Sequence, residues 1–140
     1  MKHNLAILGS GGHSREVADS AILSGWKNIT YFDDSLINIQ AEGTTEELVN
    51  SLDKFDGVIV AIGDNSIRWN KIKLLQERGA NLVSIIHPSA ILSEEIELGL
   101  ASVVLGGVVV NSGSSIGEGC ILNTSSVIAH DCKLGSAVHI

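Results

Sequence analysis

The stretch from residue 90 to residue 140 reads AILSEEIELGLASVVLGGVVVNSGSSIGEGCILNTSSVIAHDCKLGSAVHI, and it has a period of six residues. Every sixth position is aliphatic, and the nine members of the series are Leu92, Leu98, Val104, Val110, Ile116, Leu122, Ile128, Leu134 and Ile140. An α-helix repeats about every 3.6 residues and a strand every two, so neither explains the pattern. A hexapeptide repeat is typical of a parallel β-helix, in which each repeat forms one flat side of a triangular coil.

A second series lies two residues before each aliphatic position, and its side chains are mostly small. Its members are Ala90, Ile96, Ser102, Val108, Ser114, Cys120, Ser126, Cys132 and Val138. We expect both series to point inward and to stack from coil to coil. The two cysteines of this series are twelve residues apart, which places them on different sides of the coil. Two buried free thiols are therefore expected, rather than a disulfide or a metal site.

The outward positions of the repeat predict an interface. Residues eighteen apart share one side, and the residues just before the aliphatic positions form the sets Ile91, Val109, Val127, then Val103, Ile121, His139, then Glu97, Ser115, Lys133. Two of the three outer sides are thus largely apolar, and exposed apolar stripes mark interfaces. We expect a homotrimer, because a three-fold ring is the simplest closed arrangement of triangular prisms. The alternative is that the N-terminal domain or a missing segment covers these sides.

The first part of the chain alternates between strand and helix patterns. Apolar runs predict strands at 4–9, 29–32, 57–62 and 82–86, and helical spacing predicts helices at 13–24 and 65–78. A short helix is expected after Thr44 or Thr45, either of which can cap it. This order predicts a parallel sheet covered by helices. We therefore expect a Rossmann-like α/β domain over residues 1–87 and a β-helix over residues 88–140, with the boundary at His87-Pro88.

Composition excludes several classes of partner. The formal net charge is −7, from 9 basic and 16 acidic residues, and the basic residues form no run. Nucleic acids and anionic membranes attract basic patches, so neither is an expected partner. The apolar stretch at residues 5–8 is too short for a signal sequence or a membrane span. A cytoplasmic protein without membrane insertion is expected.

A glycine-rich turn, GSGGHS at residues 9–14, lies between the first strand and the first helix. Backbone N–H groups in such a turn can bind phosphate oxygens. Asp33 and Asp34 end the second strand, where a ribose or a base could donate hydrogen bonds to them. The turn at residues 63–65 ends another strand, and Arg68 follows it. Because the carboxyl ends of parallel strands share one edge of the sheet, these residues predict a nucleotide site.

The glycine-rich turn has two other interpretations. It can be a tight turn that binds no ligand. It can also belong to a dinucleotide-dependent enzyme, but the G-x-G-x-x-G fingerprint would place glycine where Ser14 stands. That departure and the β-helix both argue against the dinucleotide alternative.

His130 is the candidate catalytic residue of the repeat. It lies outside both inward series, in a mostly polar outward series near a corner, and Asp131 follows it directly. A carboxylate beside an imidazole can select its tautomer and stabilise its protonated form, as a general base requires. The alternative is an ordinary surface histidine.

The chain resembles the bacterial sugar O-/N-acyltransferases that combine a nucleotide-sugar-binding domain with a left-handed β-helix. The resemblance is carried by GSGGHS at 9–14, FDD at 32–34, AIGDNSIR at 61–68, IIHPSA at 85–90 and ILNTSSVIAHDC at 121–132. Within these acyltransferases, the chain is similar to the UDP-N-acetylbacillosamine N-acetyltransferases, to which the sialic acid O-acetyltransferases are related.

This resemblance implies an acetyltransferase that uses acetyl-CoA and no metal, and that acetylates the 4-amino group of a UDP-linked deoxy amino sugar. It assigns His130 as general base with Asp131 as its support, and His139 to the acetyl-CoA side. The residues that it assigns to the UDP part are Ser10, Gly12, His13, Asp33, Asp34, Gly63, Asn65 and Arg68.

In the resembled family the coil continues beyond the position that matches Ile140, and the later coils supply most of the CoA site. We therefore expect a truncated coil, that is, a partial acyltransferase domain, and its activity is an open question. Two alternatives follow from these observations. One is a non-catalytic module that binds a nucleotide sugar, and the other is an O-acetyltransferase acting on a sialic acid or another sugar.

Overall fold

The N-terminal part of the molecule is a four-stranded parallel sheet with helices on both faces. The structure is a computed structural model, and it describes residues 2–35 and 40–140. The strands β1 (Asn4–Leu8), β2 (Asn28–Phe32), β3 (Ala41–Gly43) and β4 (Gly57–Val60) are arranged in the order β3-β2-β1-β4. The helices are α1 (Gly12–Leu23), α2 (Thr45–Val49) and α3 (Asn65–Glu77), and a 3-10 turn lies at Leu52–Lys54.

The central strands are buried on both faces because their sequences are continuously apolar. On one face, Leu5 and Ile7 of β1 pack with Val17 and Ala21 of α1. On the other face, Ala6 and Leu8 pack with side chains of α2 and α3, among them Leu48, Ile72 and Leu75. The predicted parallel sheet with helices on it is confirmed, and β3 is an additional edge strand that the sequence patterns did not predict.

The predicted cap at Thr44 is confirmed, and α3 is capped as well. Thr44 caps α2 in a capping box, in which the Glu47 side chain accepts from the Thr44 N–H and the Thr44 hydroxyl accepts from the Glu47 N–H. Asp64 caps α3 by accepting from the Ile67 N–H at 2.9 Å. Gly79 follows α3 with a φ of +80°, a left-handed conformation that favours glycine.

The second part of the molecule is a three-sided coil of two-residue strands. The covered sheet contains β5 (Ile85–Ile86), β8 (Val103–Val104) and β11 (Ile121–Leu122). The apolar sheet contains β6 (Ile91–Leu92), β9 (Val109–Val110) and β12 (Val127–Ile128). The polar sheet contains β7 (Glu97–Leu98), β10 (Ser115–Ile116) and β13 (Lys133–Leu134). All pairings within these sheets are parallel, as the repeat predicted.

Both inward series of the repeat form the interior of the coil. A single hydrophobic cluster includes Val104, Val110, Ile116 and Leu122 of the aliphatic series and Val108 and Cys120 of the other series. Cys120 is buried and Cys132 is partly buried, and both are free thiols. The expected β-helix core is therefore confirmed.

The strand predicted at 82–86 is divided between the two parts of the molecule. Leu82 makes one isolated parallel bridge with Val58, next to the N-terminal sheet. Ile85 and Ile86 instead pair with Val103 and Val104, so they form the first side of the coil. The prediction of a further strand of the N-terminal sheet is wrong over residues 85–86, because the hexapeptide repeat already includes them.

The N-terminal domain packs on one of the two apolar outer sides of the coil. Val103 and Ile121 of the covered sheet are 1% and 0% exposed, and Val103 belongs to the same cluster as the α1 side chains. Ile91 and Val127 of the apolar sheet are 67% and 62% exposed. For the covered sheet, the alternative that the N-terminal domain covers an apolar side is therefore correct. The apolar sheet has no such cover within the described part of the chain.

No helix among residues 2–35 and 40–140 combines the length and the apolar composition that crossing a bilayer requires.

Candidate functional site

A cavity of about 420 Å³ lies at the carboxyl ends of β1, β2 and β4. Six of the predicted nucleotide-site residues line it, namely Ser10, Gly12, His13, Asp33, Asp34 and Gly63. The strand order explains this convergence, because β1 lies between β2 and β4 and all three run in parallel. The predicted Asn65 and Arg68 are not among the lining residues.

The glycine-rich turn is packed tightly against the end of β4. Gly9 has a φ of +121°, and a Cβ atom there would lie 2.4 Å from the Ala61 carbonyl oxygen. The Gly9 N–H donates to the Phe32 carbonyl at 2.7 Å, which ties the turn to β2. At Gly11, in contrast, an added Cβ would meet no heavy atom within 4 Å. The turn is therefore fixed at its start and open where it faces the cavity.

Asp33 joins the glycine-rich turn to the end of β2. The Ser10 hydroxyl donates to Asp33 Oδ2 at 2.6 Å, and the Ser35 N–H donates to Oδ1 at 2.8 Å. Each carboxylate oxygen can accept a second hydrogen bond. Asp33 can thus hold the turn and still accept from a ligand.

Asp34 is engaged with α2 and α3 at the rim of the cavity. It accepts from the Thr45 N–H at 2.7 Å, from the Thr45 hydroxyl at 2.8 Å and from Lys71 Nζ at 2.5 Å. Partial burial raises the pKa of Asp34, but the hydrogen bonds from Lys71 and Thr45 outweigh it and lower the pKa below its usual value. The Asp34 carboxylate is therefore charged at neutral pH.

Lys71 lines the cavity, although it was not among the residues predicted for the nucleotide site. A signal for it was present, because Lys71 lies one helical turn after Ile67, which also lines the cavity, on the same face of α3. Its ammonium group forms an ion pair with Asp34, so the rim carries both signs of charge.

Arg68 lies beneath the cavity and not in it. Its side chain is almost fully buried, at 1% exposed. All five of its N–H groups donate to protein oxygens: those of Gly119, Ile62, Gly63 and Ala137 carbonyls and the Asn65 side chain. No N–H of Arg68 is left for a ligand, so the structure offers no direct contact with a nucleotide, and the assignment of Arg68 to the nucleotide site stays a prediction. Asn65 Oδ1 accepts from Arg68 Nη2 at 2.8 Å, but the Asn65 residue itself is exposed.

His13 and His139 meet between the two domains, with ring centroids 6.3 Å apart. Burial first, and then the nearby His139 and Arg68, lower the pKa of His13 to about 4. His13 is therefore neutral at neutral pH. Its Nε2 is buried and has no hydrogen-bond partner in the described residues. His139, which was predicted for the acetyl-CoA side, thus lies next to His13, which lines the cavity.

His130 and Asp131 form a pair on the surface of the coil. His130 Nδ1 lies 2.8 Å from Asp131 Oδ2, and the two side chains are 80% and 76% exposed. The Asp131 N–H donates to the Ser112 carbonyl at 3.0 Å, which holds the corner in place. An exposed pair of this kind contributes little to stability. The geometry is the one that orients an imidazole with Nδ1–H toward the carboxylate and leaves Nε2 to accept a proton.

His130 and the cavity lie on different sides of the coil. His130 belongs to the corner between β12 of the apolar sheet and β13 of the polar sheet. The N-terminal domain packs on the covered sheet, which is the side opposite that corner. Within one chain the coil therefore separates the candidate base from the candidate nucleotide cavity.

A parallel α/β domain packed on a hexapeptide-repeat coil, with a cavity at its strand ends, is the architecture that the resemblance to the left-handed β-helix sugar acyltransferases implied. Residues 4–75 match the family model of the PglD N-terminal domain. The chain belongs to this family, as the resemblance implied.

Solved structures support the same assignment. The acetyltransferase domain of PglB from Neisseria gonorrhoeae FA1090, in complex with acetyl coenzyme A, is 37% identical with a TM-score of 0.88, over 97% of this chain and 69% of that one. PerB from Caulobacter crescentus, in complex with CoA and GDP-perosamine, is 33% identical with a TM-score of 0.88, over 97% of this chain and 67% of that one. The left-handed coil is thereby confirmed.

The match to a curated relative covers a shorter part of both chains. The GDP-perosamine N-acetyltransferase of Escherichia coli O157:H7 is 27% identical over 79 residues, which are 56% of this chain and 36% of that protein. The matched part of the chain thus spans about a third of this relative's length.

Proposed function

We propose that the protein transfers an acetyl group from acetyl-CoA to the 4-amino group of a UDP-linked deoxy amino sugar. The observation that carries this proposal is the contact between His139 of the coil and His13 of the cavity, which brings the acetyl side next to the nucleotide side. Two relatives support the substrate classes, since one was solved with acetyl coenzyme A and another with CoA and GDP-perosamine.

His130 acts as the general base in this proposal. The sugar amine attacks the thioester carbonyl carbon, so a C–N bond forms and the C–S bond breaks. The amine loses its proton to His130 Nε2, and the CoA thiolate leaves and takes up a proton. Asp131 holds the Nδ1–H side of the ring and stabilises the imidazolium that forms. Because an amine attacks only as the free base, removal of this proton is required.

The site is proposed to form between two copies of the chain. His130 lies on the corner opposite the covered sheet, so it cannot face the cavity of its own chain. The apolar sheet ends at this corner, and its side chains Ile91 and Val127 are exposed. A second copy that packs on the apolar sheet would bring its own cavity to the His130 corner. A closed three-fold ring repeats this contact three times, and we propose a homotrimer.

Gly63→Ala is expected to weaken nucleotide-sugar binding without loss of stability. A Cβ at Gly63 would meet no atom within 4 Å, so the protein accommodates it, but the new methyl group would occupy space at the cavity wall. We expect the dissociation constant of UDP to rise by about tenfold or more. Calorimetry of UDP binding and thermal unfolding measure the two quantities. Equal UDP affinity in variant and wild type would place the nucleotide elsewhere.

Mixed assemblies test the shared site. His130→Ala keeps an intact cavity, and Gly63→Ala keeps an intact base. In randomly mixed trimers made by joint refolding of equal amounts, about one quarter of the sites would combine both intact parts, and activity should recover to about that fraction. If each site lay within one chain, the mixture would show only the sum of the two residual activities.

Product analysis tests the reaction itself. Acetyl-CoA is supplied with UDP-linked 4-amino sugars, with the GDP-linked equivalents, and with sialic acid as an acceptor for O-acetylation. Mass spectrometry is expected to detect an N-acetylated UDP-sugar and free CoA. Preferred turnover of the GDP-linked sugar would show that the natural amino-sugar substrate carries GDP and not UDP. O-acetylated sialic acid would show that the acceptor is a hydroxyl group and not an amine. Binding of a nucleotide sugar without any acetylated product would indicate a binding module.

A further inference from the structure

Arg68 is a buried cation whose contacts are not explained by ordinary ion pairing. No carboxylate lies within 4.0 Å of its guanidinium in the described part of the chain, where the ion pairs involve Lys71, Arg78 and His130. All its acceptors are neutral oxygens. Burying a charge in this way is costly, and here the cost is offset only by hydrogen bonds to neutral oxygens.

Two of the Arg68 hydrogen bonds determine the orientation of the turn that follows β4. One nitrogen, Nη1, donates to the Ile62 carbonyl at 3.0 Å and to the Gly63 carbonyl at 3.1 Å. Successive carbonyls in a strand point to opposite sides, whereas these two converge on one atom. The described peptide bonds are trans, so each N–H points away from its carbonyl. The Gly63 and Asp64 N–H groups therefore both point away from Arg68.

These two N–H groups have no protein acceptor in residues 2–35 and 40–140. Ile62 and Gly63 line the cavity, the space beside Gly63 is open, and Asp64 follows directly at the start of α3. Successive N–H groups that point to one side form a concave anion-binding arrangement. The positive charge beneath the turn adds to the attraction for an anion.

We propose that Arg68 is a positioning residue that presents the Gly63 and Asp64 N–H groups to the diphosphate of the nucleotide sugar. This inference deepens the proposed function and rests on it for the identity of the ligand. The remaining bonds extend the effect to the coil, because Nε donates to Gly119 at 2.7 Å and Nη2 donates to Ala137 at 3.0 Å. Ala137 lies two residues before His139, so one side chain holds both the phosphate turn and the acetyl side.

The test is a titration of the labelled chain by two-dimensional ¹H–¹⁵N NMR with inorganic pyrophosphate, UDP and uridine. In the wild type, the Gly63 and Asp64 amide signals are expected to move with pyrophosphate and with UDP, and to stay in place with uridine. The Arg68 Nε–H signal should change little, because that group is bonded to Gly119. If the two amides do not move at saturating pyrophosphate, or if the Arg68 Nε–H moves as much as they do, the inference is wrong.

Arg68→Lys provides the second measurement. Lysine keeps the charge but cannot hold two carbonyls and the coil together. We expect affinity for UDP and pyrophosphate to fall about tenfold or more, with uridine affinity within about twofold of the wild type. Arg78→Lys is the matched control, since it makes the same change at an exposed site just after the same helix. Unchanged UDP affinity in Arg68→Lys would overturn the proposal.

Each result is separable from the proposed acetyl transfer. Pyrophosphate binding at the turn does not require turnover, so amide shifts without acetylated product would retain this inference and reject the enzymatic proposal. Should Arg68→Lys fail to fold, the wild-type titration decides the question by itself.

Discussion

His130→Ala is expected to lower kcat by about 10²- to 10⁴-fold, the usual contribution of a general base. The Michaelis constants for both substrates should change little, because the imidazole acts on the proton and not on the bound groups. The side chain is 80% exposed, so its removal should leave the unfolding temperature close to that of the wild type. Steady-state kinetics with acetyl-CoA and the UDP-linked 4-amino sugar measure the change.

Two control variants show whether the loss of activity is specific to the proposed base. His3→Ala removes an exposed histidine at the other end of the chain and should leave kcat unchanged. Asp131→Asn keeps the shape of the pair but removes the charge that stabilises the imidazolium, and a decrease of about tenfold or more is expected. Turnover of His130→Ala within a few-fold of the wild type would show that another group takes the proton.

Gly9→Ala is expected to destabilise the protein by ~2–5 kcal/mol, a large part of the roughly 5–15 kcal/mol that holds a domain folded. The φ of +121° is unfavourable for alanine, and the new Cβ would lie 2.4 Å from the Ala61 carbonyl oxygen. That oxygen belongs to the backbone at the end of β4, so it cannot rotate away. Chemical denaturation followed by circular dichroism measures the loss.

Gly11→Ala is the matched control two residues along the same turn. Gly11 has a φ of −86°, which alanine adopts readily, and an added Cβ meets nothing within 4 Å. Gly11 is the N-cap of α1, where alanine is somewhat less favourable than glycine, so the stability should fall by no more than about 1 kcal/mol. Equal stability of Gly9→Ala and Gly11→Ala would mean that the turn is not packed against β4 as described.

Period and composition were sufficient to predict the coil. Aliphatic side chains at every sixth residue can be buried together only if the chain turns at that interval, so Val104, Ile116 and Leu122 could be placed inside from their spacing. The same series extends one step back to Ile86, and it would have shown that the coil starts before Pro88. The strand pattern at 82–86 obscured this, because a buried strand of either part has the same apolar composition.

The cavity was predicted less completely than the coil. Parallel strands place their carboxyl ends at one edge, which is why the residues after β1, β2 and β4 could be grouped from the order of elements alone. The role of Arg68 could not be predicted in this way, since its position under the turn depends on carbonyls of Gly119 and Ala137, more than fifty residues away. A charged residue after a nucleotide-type turn looks the same in sequence whether it faces the ligand or the interior.

Local patterns thus specified the repeat, the strands β1, β2 and β4, the cap of α2 and the His130–Asp131 pair, because each depends on neighbouring residues or on a fixed period. The packing between distant segments specified the rest: that the N-terminal domain covers Val103 and Ile121, that His13 meets His139, and that His130 lies on the far corner of the coil. Such contacts depend on how two folded surfaces fit together, and no local pattern in the chain encodes that fit.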